Sequence, residues 1–279
     1  MALDQATIHA IAQQLLDAER TATPIGQLSA EHPGMDPADA YAIQQGVVAA
    51  RIAAGERIVG WKVGLTSKVM QQMLGVSQPD YSAVLSHQLL EDGASIPRAA
   101  LIAPRVEAEI GFLLRAPLKG PGVTVQDVLD ATAAVTPCIE VIDSRIRDWK
   151  IGLVDTVADL ASCARVIVGR SRVSVDGLDL RLIGVIVEQN GEVVSTGAGA
   201  AVLGHPAAGV AWAANTLGPM GVTLEAGQVV IPGAVHGAVP ANAGDTFTAT
   251  FDRLGSVTVR FTRDKACDPV YDRRHPVSV

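Results

Sequence analysis

Aromatic residues make up only 4% of this chain of 279 residues. So few π faces leave little on which nucleobases could stack, which is how single-strand binders hold their ligands. Charged residues are also sparse, at 18%, and the balance is acidic, with a formal net charge of −7. A phosphate backbone or an anionic membrane is repelled by such a chain, which argues against both nucleic acid and membrane as partners. The three cysteines, Cys138, Cys163 and Cys267, lie far apart and show no metal-type spacing. They are expected to be buried thiols in a reducing cytoplasm. No window reaches the roughly 18 to 20 continuous apolar residues that span a bilayer, and residues 1–20 alternate apolar positions with polar ones, so nothing marks export.

Aliphatic residues are plentiful: 48% of the chain is hydrophobic, enough for one large core or a core with a cap. Ile8, Ile11, Ala12, Leu15, Leu16 and Ala18 recur at helical spacing within residues 3–20. A second helix is expected from Asp36-Pro37 to Gly55, capped by Asp36. From Arg57 the pattern turns to strands, first over 58–64, with a short helix expected from Thr66 or Ser67 to near Gly75 and a loop at Pro79-Asp80-Tyr81. Beyond Leu101 the chain reads mostly as strands with two helical interruptions, over 125–135 and from His205-Pro206 to Gly218. Asn190-Gly191 marks a hairpin between 180–189 and 192–196. The late segments 229–231, 246–251 and 256–261 read as antiparallel strands. Helices segregated from strands predict an α+β fold, with a helix-rich N-terminal portion over 1–95 and a β-rich catalytic domain over 96–279.

The chemistry concentrates in Pro104–Phe112 (PRVEAEIGF), where strand alternation puts Glu107 and Glu109 on one face and Val106, Ala108 and Ile110 on the other. Two carboxylates on an otherwise apolar strand repel each other, and a divalent cation resolves that conflict, with oxygen ligands suited to magnesium or manganese. Glu140 is a third acidic residue inside an apolar run. Each has a plain alternative: a solvated strand face for the pair, and an ion pair with Arg145 for Glu140. Lys62, between Gly60 and Gly64, suits carboxylate binding or proton transfer, or a snorkelling lysine. Asp80 suits an acid/base partner of Lys62 or a turn. Asp155–Ser162 offers two carboxylates and a hydroxyl near an expected loop, and His236 lies in a small-residue loop that would border a pocket.

Taken in order, GWKVGLTS (60–67), LGVSQPDY (74–81), PRVEAEIGF (104–112), EVIDSRIRDW (140–149), DTVAD (155–159), STGAGAAVLG (195–204) and AWAANTL (211–217) resemble the hydratase/decarboxylase branch of the fumarylacetoacetate hydrolase superfamily. Its best-known members are the 2-oxopent-4-enoate (2-hydroxypentadienoate) hydratases of aromatic meta-cleavage catabolism. The resemblance implies a β-rich sandwich-like roll with an N-terminal helical portion. It also implies a Mg²⁺ or Mn²⁺ site at Glu107, Glu109 and Glu140, proton transfer by Lys62 and Asp80, and substrate contact at Ser162. A homo-oligomer acting on a small 2-oxo or 2-hydroxy-dienoic acid is implied too, with room for a complex with a neighbouring pathway enzyme.

The chain departs from the family pattern at Leu160-Ala161-Ser162-Cys163 and in the loop Gly233–Val239, which contains His236. The leading expectation is a hydro-lyase, and the alternative is a 2-oxo-hex-3-enedioate (4-oxalocrotonate) decarboxylase. An acylpyruvate carbon–carbon hydrolase ranks lower, because neither His9 nor His87 has an evident acidic partner in the sequence. A non-catalytic partner subunit also ranks lower, because a purely structural chain has no need for clustered carboxylates.

Overall fold

Asp4 and Asp36 start the two long helices. In the structure, a computed structural model describing residues 3–67, 71–72 and 76–263, α1 (Gln5–Thr21) is capped by the Asp4 carboxylate, which accepts the Thr7 amide. A one-turn α2 (Leu28–Glu31) follows. α3 (Pro37–Ala53) opens with a complete capping box between Asp36 and Asp39. One face of each long helix enters a core shared with Ile146, Val157, Ala158 and Leu160, so the helical layer closes over a segment far along the chain.

The remaining elements are β1 (Ile58–Gly64), β2 (Asp80–Leu85), β3 (Leu89–Glu91), β4 (Ala94–Pro97), β5 (Arg105–Leu114), α4 (Val125–Ala131) and β6 (Thr132–Ile142). They continue with α5 (Leu153–Ala158), β7 (Cys163–Val168), β8 (Gly184–Gln189), β9 (Glu192–Ala198), α6 (Pro206–Leu217), β10 (Val229–Ile231), β11 (Val239–Pro240), β12 (Thr246–Phe251) and β13 (Gly255–Thr262). An eight-stranded mixed sheet runs β2-β1-β10-β5-β6-β7-β3, with β11 also on β5, and a five-stranded sheet runs β4-β13-β12-β8-β9.

Val106, Ala108, Ile110, Phe112 and Leu114 of β5 face the main core, where they meet Phe247, Val257, Val259 and Phe261 of the smaller sheet. The opposite face of the large sheet buries Val84, Leu113, Cys138, Val166, Val168, Val229 and Ile231, all from its own strands. The sheet therefore curls into a half-barrel whose concave side holds a second apolar floor. The α+β architecture expected from the sequence is thus the one observed.

Several local expectations need correction. Tyr81 belongs to β2, not to a loop, because Asp80 already pairs with Gly64 of β1. The helix over 125–135 stops at Ala131, and β6 starts at Thr132, since Ala134, Val135 and Thr136 are taken up by pairing with β5. The expected loop 155–162 is partly helical, since α5 runs from Leu153 to Ala158 and is a helix beyond the two expected after Leu101. Residues 180–183 are not strand, although Asn190 and Gly191, both at positive φ, do join β8 to β9. β10 leaves the late antiparallel group and joins the large sheet, parallel to β1 and antiparallel to β5. The position near residue 95 falls inside β4, and β1 to β4 all pair with strands, several from beyond it. The short helix expected between Ser67 and Gly75 falls largely outside the described residues, as does Cys267. Cys138 and Cys163 are free and buried.

Candidate metal centre and active site

Register alone brings three glutamates together. Glu107 on β5 stands directly opposite Glu140 on β6, and Glu109 follows two residues on, all on the concave face. Each offers one oxygen, and these oxygens lie within 4.8 Å of one another. Glu109 and Glu140 are each 1% exposed. Glu107 is half-buried, so a solvated face for the whole pair does not hold at Glu109, and Glu140 makes no ion pair with Arg145, which is bonded to Asp159. Glu109 Oε2 accepts the Gly233 amide at 2.7 Å.

Two buried acids and a half-buried one in one place conflict electrostatically. Burial, then the charge of Glu140, pushes Glu107 up to about 7, and burial with both neighbouring glutamates raises Glu109 well above the ordinary range. Neither Glu140 oxygen has a hydrogen-bond partner among the described residues, although both are buried. Bare buried carboxylate oxygens are costly, and a dication among them would satisfy all three side chains at once. The all-oxygen donor set fits Mg²⁺ or Mn²⁺ and leaves part of an octahedral shell for other ligands.

Lys62, Gly64, Asp80 and Ser82 extend this face across β1 and β2. Lys62 Nζ lies 3.4 Å from Glu140 Oε1 and donates to the Ala161 carbonyl at 2.9 Å. Burial opposes its charge, but Glu140 and Asp80 outweigh that and hold Lys62 above the usual lysine range. Asp80 is raised chiefly by burial, against the pull of Lys62, and its Oδ1 has no hydrogen-bond partner among the described residues. A Cβ on Gly64 would stand 2.2 Å from Asp80 Oδ1 and 3.2 Å from Lys62 Nζ, so only glycine lets the two groups converge there. The loop expected for Asp80 is replaced by a strand position, which fixes it beside Lys62.

Ser162 is buried next to this group, with its hydroxyl 3.4 Å from Thr156 Oγ1. Leu160, Ala161 and Ser162 take φ values of 52°, 49° and 59°. Three consecutive left-handed residues cost roughly 1–2 kcal/mol each, a strain concentrated where Ala161 meets Lys62. Asp155 serves as a cap, accepting from Gly152 and Ser29. His236 does not join the carboxylates. Its Nε2 accepts the Ala108 amide at 2.8 Å, which braces the backbone between Glu107 and Glu109, while its Nδ1 lies 2.6 Å from the Gly237 carbonyl of its own loop.

His87, which has no evident partner in the sequence, lies 2.5 Å from Glu56 and 3.2 Å from Glu19. Neither carboxylate belongs to the triad. Sequence reading also misses the Gly233 amide and the Ala161 carbonyl. Backbone groups carry no side-chain signature, and only Pro232-Gly233 closing β10 hints at the first.

A half-barrel with a glutamate triad and an adjacent lysine defines a metal-competent α+β enzyme scaffold. The chain belongs to the fumarylacetoacetate (FAA) hydrolase C-terminal family, whose pattern matches residues 63–262. It is 44% identical over 261 residues to 2-hydroxyhexa-2,4-dienoate hydratase of Comamonas testosteroni, covering 93% of this chain and 99% of that one. It is 42% identical to 4-oxalocrotonate decarboxylase of Pseudomonas sp. strain CF600, covering 90% and 96%. The solved structure of 4-oxalocrotonate decarboxylase from Pseudomonas putida G7, complexed with magnesium and adipate, superposes with a TM-score of 0.90 at 41% identity, over 93% of this chain and 99% of that one.

Proposed function

We propose that the chain is a divalent-metal-dependent hydro-lyase that adds water to a 2-hydroxy-2,4-dienoate, by way of its 2-oxo-enoate tautomer, giving a 4-hydroxy-2-oxo acid. The observation that carries this reading is the convergence of Glu107, Glu109 and Glu140 beside the buried Lys62. The reading extends to a cytoplasmic homo-oligomer. Likeness to a hydratase of a 2-hydroxy-dienoate supports it.

When bound at the triad, Mg²⁺ or Mn²⁺ supplies Lewis acidity toward a 2-oxo acid head group. Lys62, kept charged by Glu140 and Asp80, presents an ammonium where enolate charge develops and holds a proton for transfer. Asp80, held by burial above the usual carboxylate range, takes up and returns the proton. Ser162 is the hydroxyl assigned to substrate contact. In the net reaction the dienol loses its O2 proton and gains one at C5. Water oxygen then bonds to the electrophilic C4 of the enone, and the second proton arrives at C3.

A second reading, decarboxylation of a 2-oxo-hex-3-enedioate, is favoured by the similarity to decarboxylases at comparable identity. The test offers both substrates to the purified protein with Mg²⁺ and follows product by proton NMR and carbon dioxide by trapping. Hydration of the dienoate is expected, with kcat falling about 100-fold or more in Lys62→Met. Carbon dioxide release without hydration would replace the first reading with the second.

A further inference from the structure

We infer that Arg145 and Asp159 are positioning residues for Lys62: their buried ion pair holds the turn Leu160–Ser162 in the shape that aims the Ala161 carbonyl at Lys62 Nζ. The inference rests on the proton-handling role proposed for Lys62.

The guanidinium of Arg145 grips both ends of the turn. It donates to Asp159 Oδ1 at 2.5 Å and to the Asp159 carbonyl at 2.5 Å, just before the left-handed residues. It also donates to the Cys163 carbonyl at 3.1 Å, just after them, and to the Asp143 carbonyl at 2.7 Å. The other carboxylate oxygen of Asp159 accepts from Ser144 Oγ at 3.0 Å and from the Arg145 amide at 2.9 Å. The Asp143 amide donates to the Ser162 carbonyl at 2.8 Å, which ties the turn to the end of β6, the strand that carries Glu140. Arg145 and Asp159 are 3% and 1% exposed, and neither hydrogen-bonds a triad glutamate among the described residues.

A buried ion pair is weak evidence for stability, because well-packed apolar side chains often serve as well. What this one provides is geometry, since the planar guanidinium fixes four acceptors at once: one carboxylate oxygen and three backbone carbonyls. Ala161 is neither glycine nor asparagine, so the turn has no intrinsic preference for its left-handed conformation. Released from the clamp, the turn would relax and its carbonyl would leave Lys62. The ammonium now hydrogen-bonds that carbonyl at 2.9 Å and stands as an ion pair 3.4 Å from Glu140. With Glu140 as its main remaining acceptor, it would move away from its working position.

The test compares Asp159→Asn and Arg145→Lys with wild type, each alone and combined with Ala161→Gly, and uses Lys62→Met as the reference. Mn²⁺ affinity is measured by calorimetry, and kcat, KM and the pH profile of kcat are measured per Mn²⁺-bound site. Expected are a fall in kcat of about 10- to 100-fold with KM and Mn²⁺ affinity within about threefold, a displaced pH profile, and recovery of about tenfold with Ala161→Gly, since glycine adopts the turn without strain. Unchanged kcat per metal-bound site in both single variants would overturn the inference and leave the pair a stability feature only. Equal losses of kcat and Mn²⁺ affinity would overturn it too, by placing the effect on the glutamates. If Asp159→Asn fails to fold, Ser144→Ala, which removes one bond onto Asp159, is judged by the same criteria. A silent Lys62→Met would instead defeat the proposed role of Lys62 itself.

Discussion

Glu109 is both anchored and crowded: the Gly233 amide holds one of its oxygens while Glu107 and Glu140 press on it electrostatically. Glu109→Gln keeps the side-chain shape and removes the charge. Expected is a fall in Mg²⁺ affinity of about 100-fold or more, since even outer-shell partners are worth roughly 10- to 100-fold, with the fold retained. Titration calorimetry showing unchanged affinity would remove Glu109 from the site. The same crowding sets a pH dependence. Because Glu107 and Glu109 titrate above the ordinary value of 4.5, the folded metal-free protein binds more protons than the unfolded chain as pH rises past that value. Metal-free stability should therefore decline from about pH 5 toward pH 8, and saturating Mg²⁺ should flatten that decline while expelling protons. Calorimetric enthalpies that do not vary with buffer ionisation heat would count against it. The spacing Glu107-x-Glu109 was legible because strand period is fixed at two. The place of Glu140 opposite Glu107 was not, because register is a property of two strands.

At the scale of elements, the loop after β10 has the strictest steric demand. Gly233 has φ 127°, and a Cβ there would meet Thr66 Oγ1. Gly233→Ala should cost about 2 kcal/mol or more in stability and weaken metal binding by unseating Glu109, as read by chemical denaturation and Mn²⁺ titration. Wild-type values for both would show that the loop adapts. Caps and turns were readable from short-range chemistry, as with Asp36 to Asp39 and Asn190-Gly191. The run Thr132–Val135 was not, because its residues suit a helix end as well as a strand start, and pairing with β5 decided between them.

The whole molecule joins a helical layer to a rolled sheet, and one charged junction spans them. His87, after β2, lies between Glu56 and Glu19 of α1, with Arg51 of α3 and Arg165 of β7 close by. Burial disfavours the imidazolium, but the two glutamates outweigh it and raise His87 above 6.5. A raised folded value means that the stabilisation is complete below 6.5 and is lost as pH climbs through the folded value. His87→Gln should therefore cost about 1–3 kcal/mol near pH 6 and much less near pH 9, as followed by thermal melts. An equal loss at both values would mean that His87 contributes packing alone.

Short-range chemistry was enough for the two long N-terminal helices, the Asp36 cap, the alternation that sends Glu107 and Glu109 to one face, and the resemblance to the family, because these depend on residues close in the chain or on ordered motifs. Tertiary structure alone decided that the large sheet curls, that Glu140 and Lys62 reach the same point, that His236 braces a backbone, and that Arg145 turns to Asp159. Those outcomes rest on strand register and on where backbone carbonyls and amides come to lie, and neither is written in the identity of any single side chain.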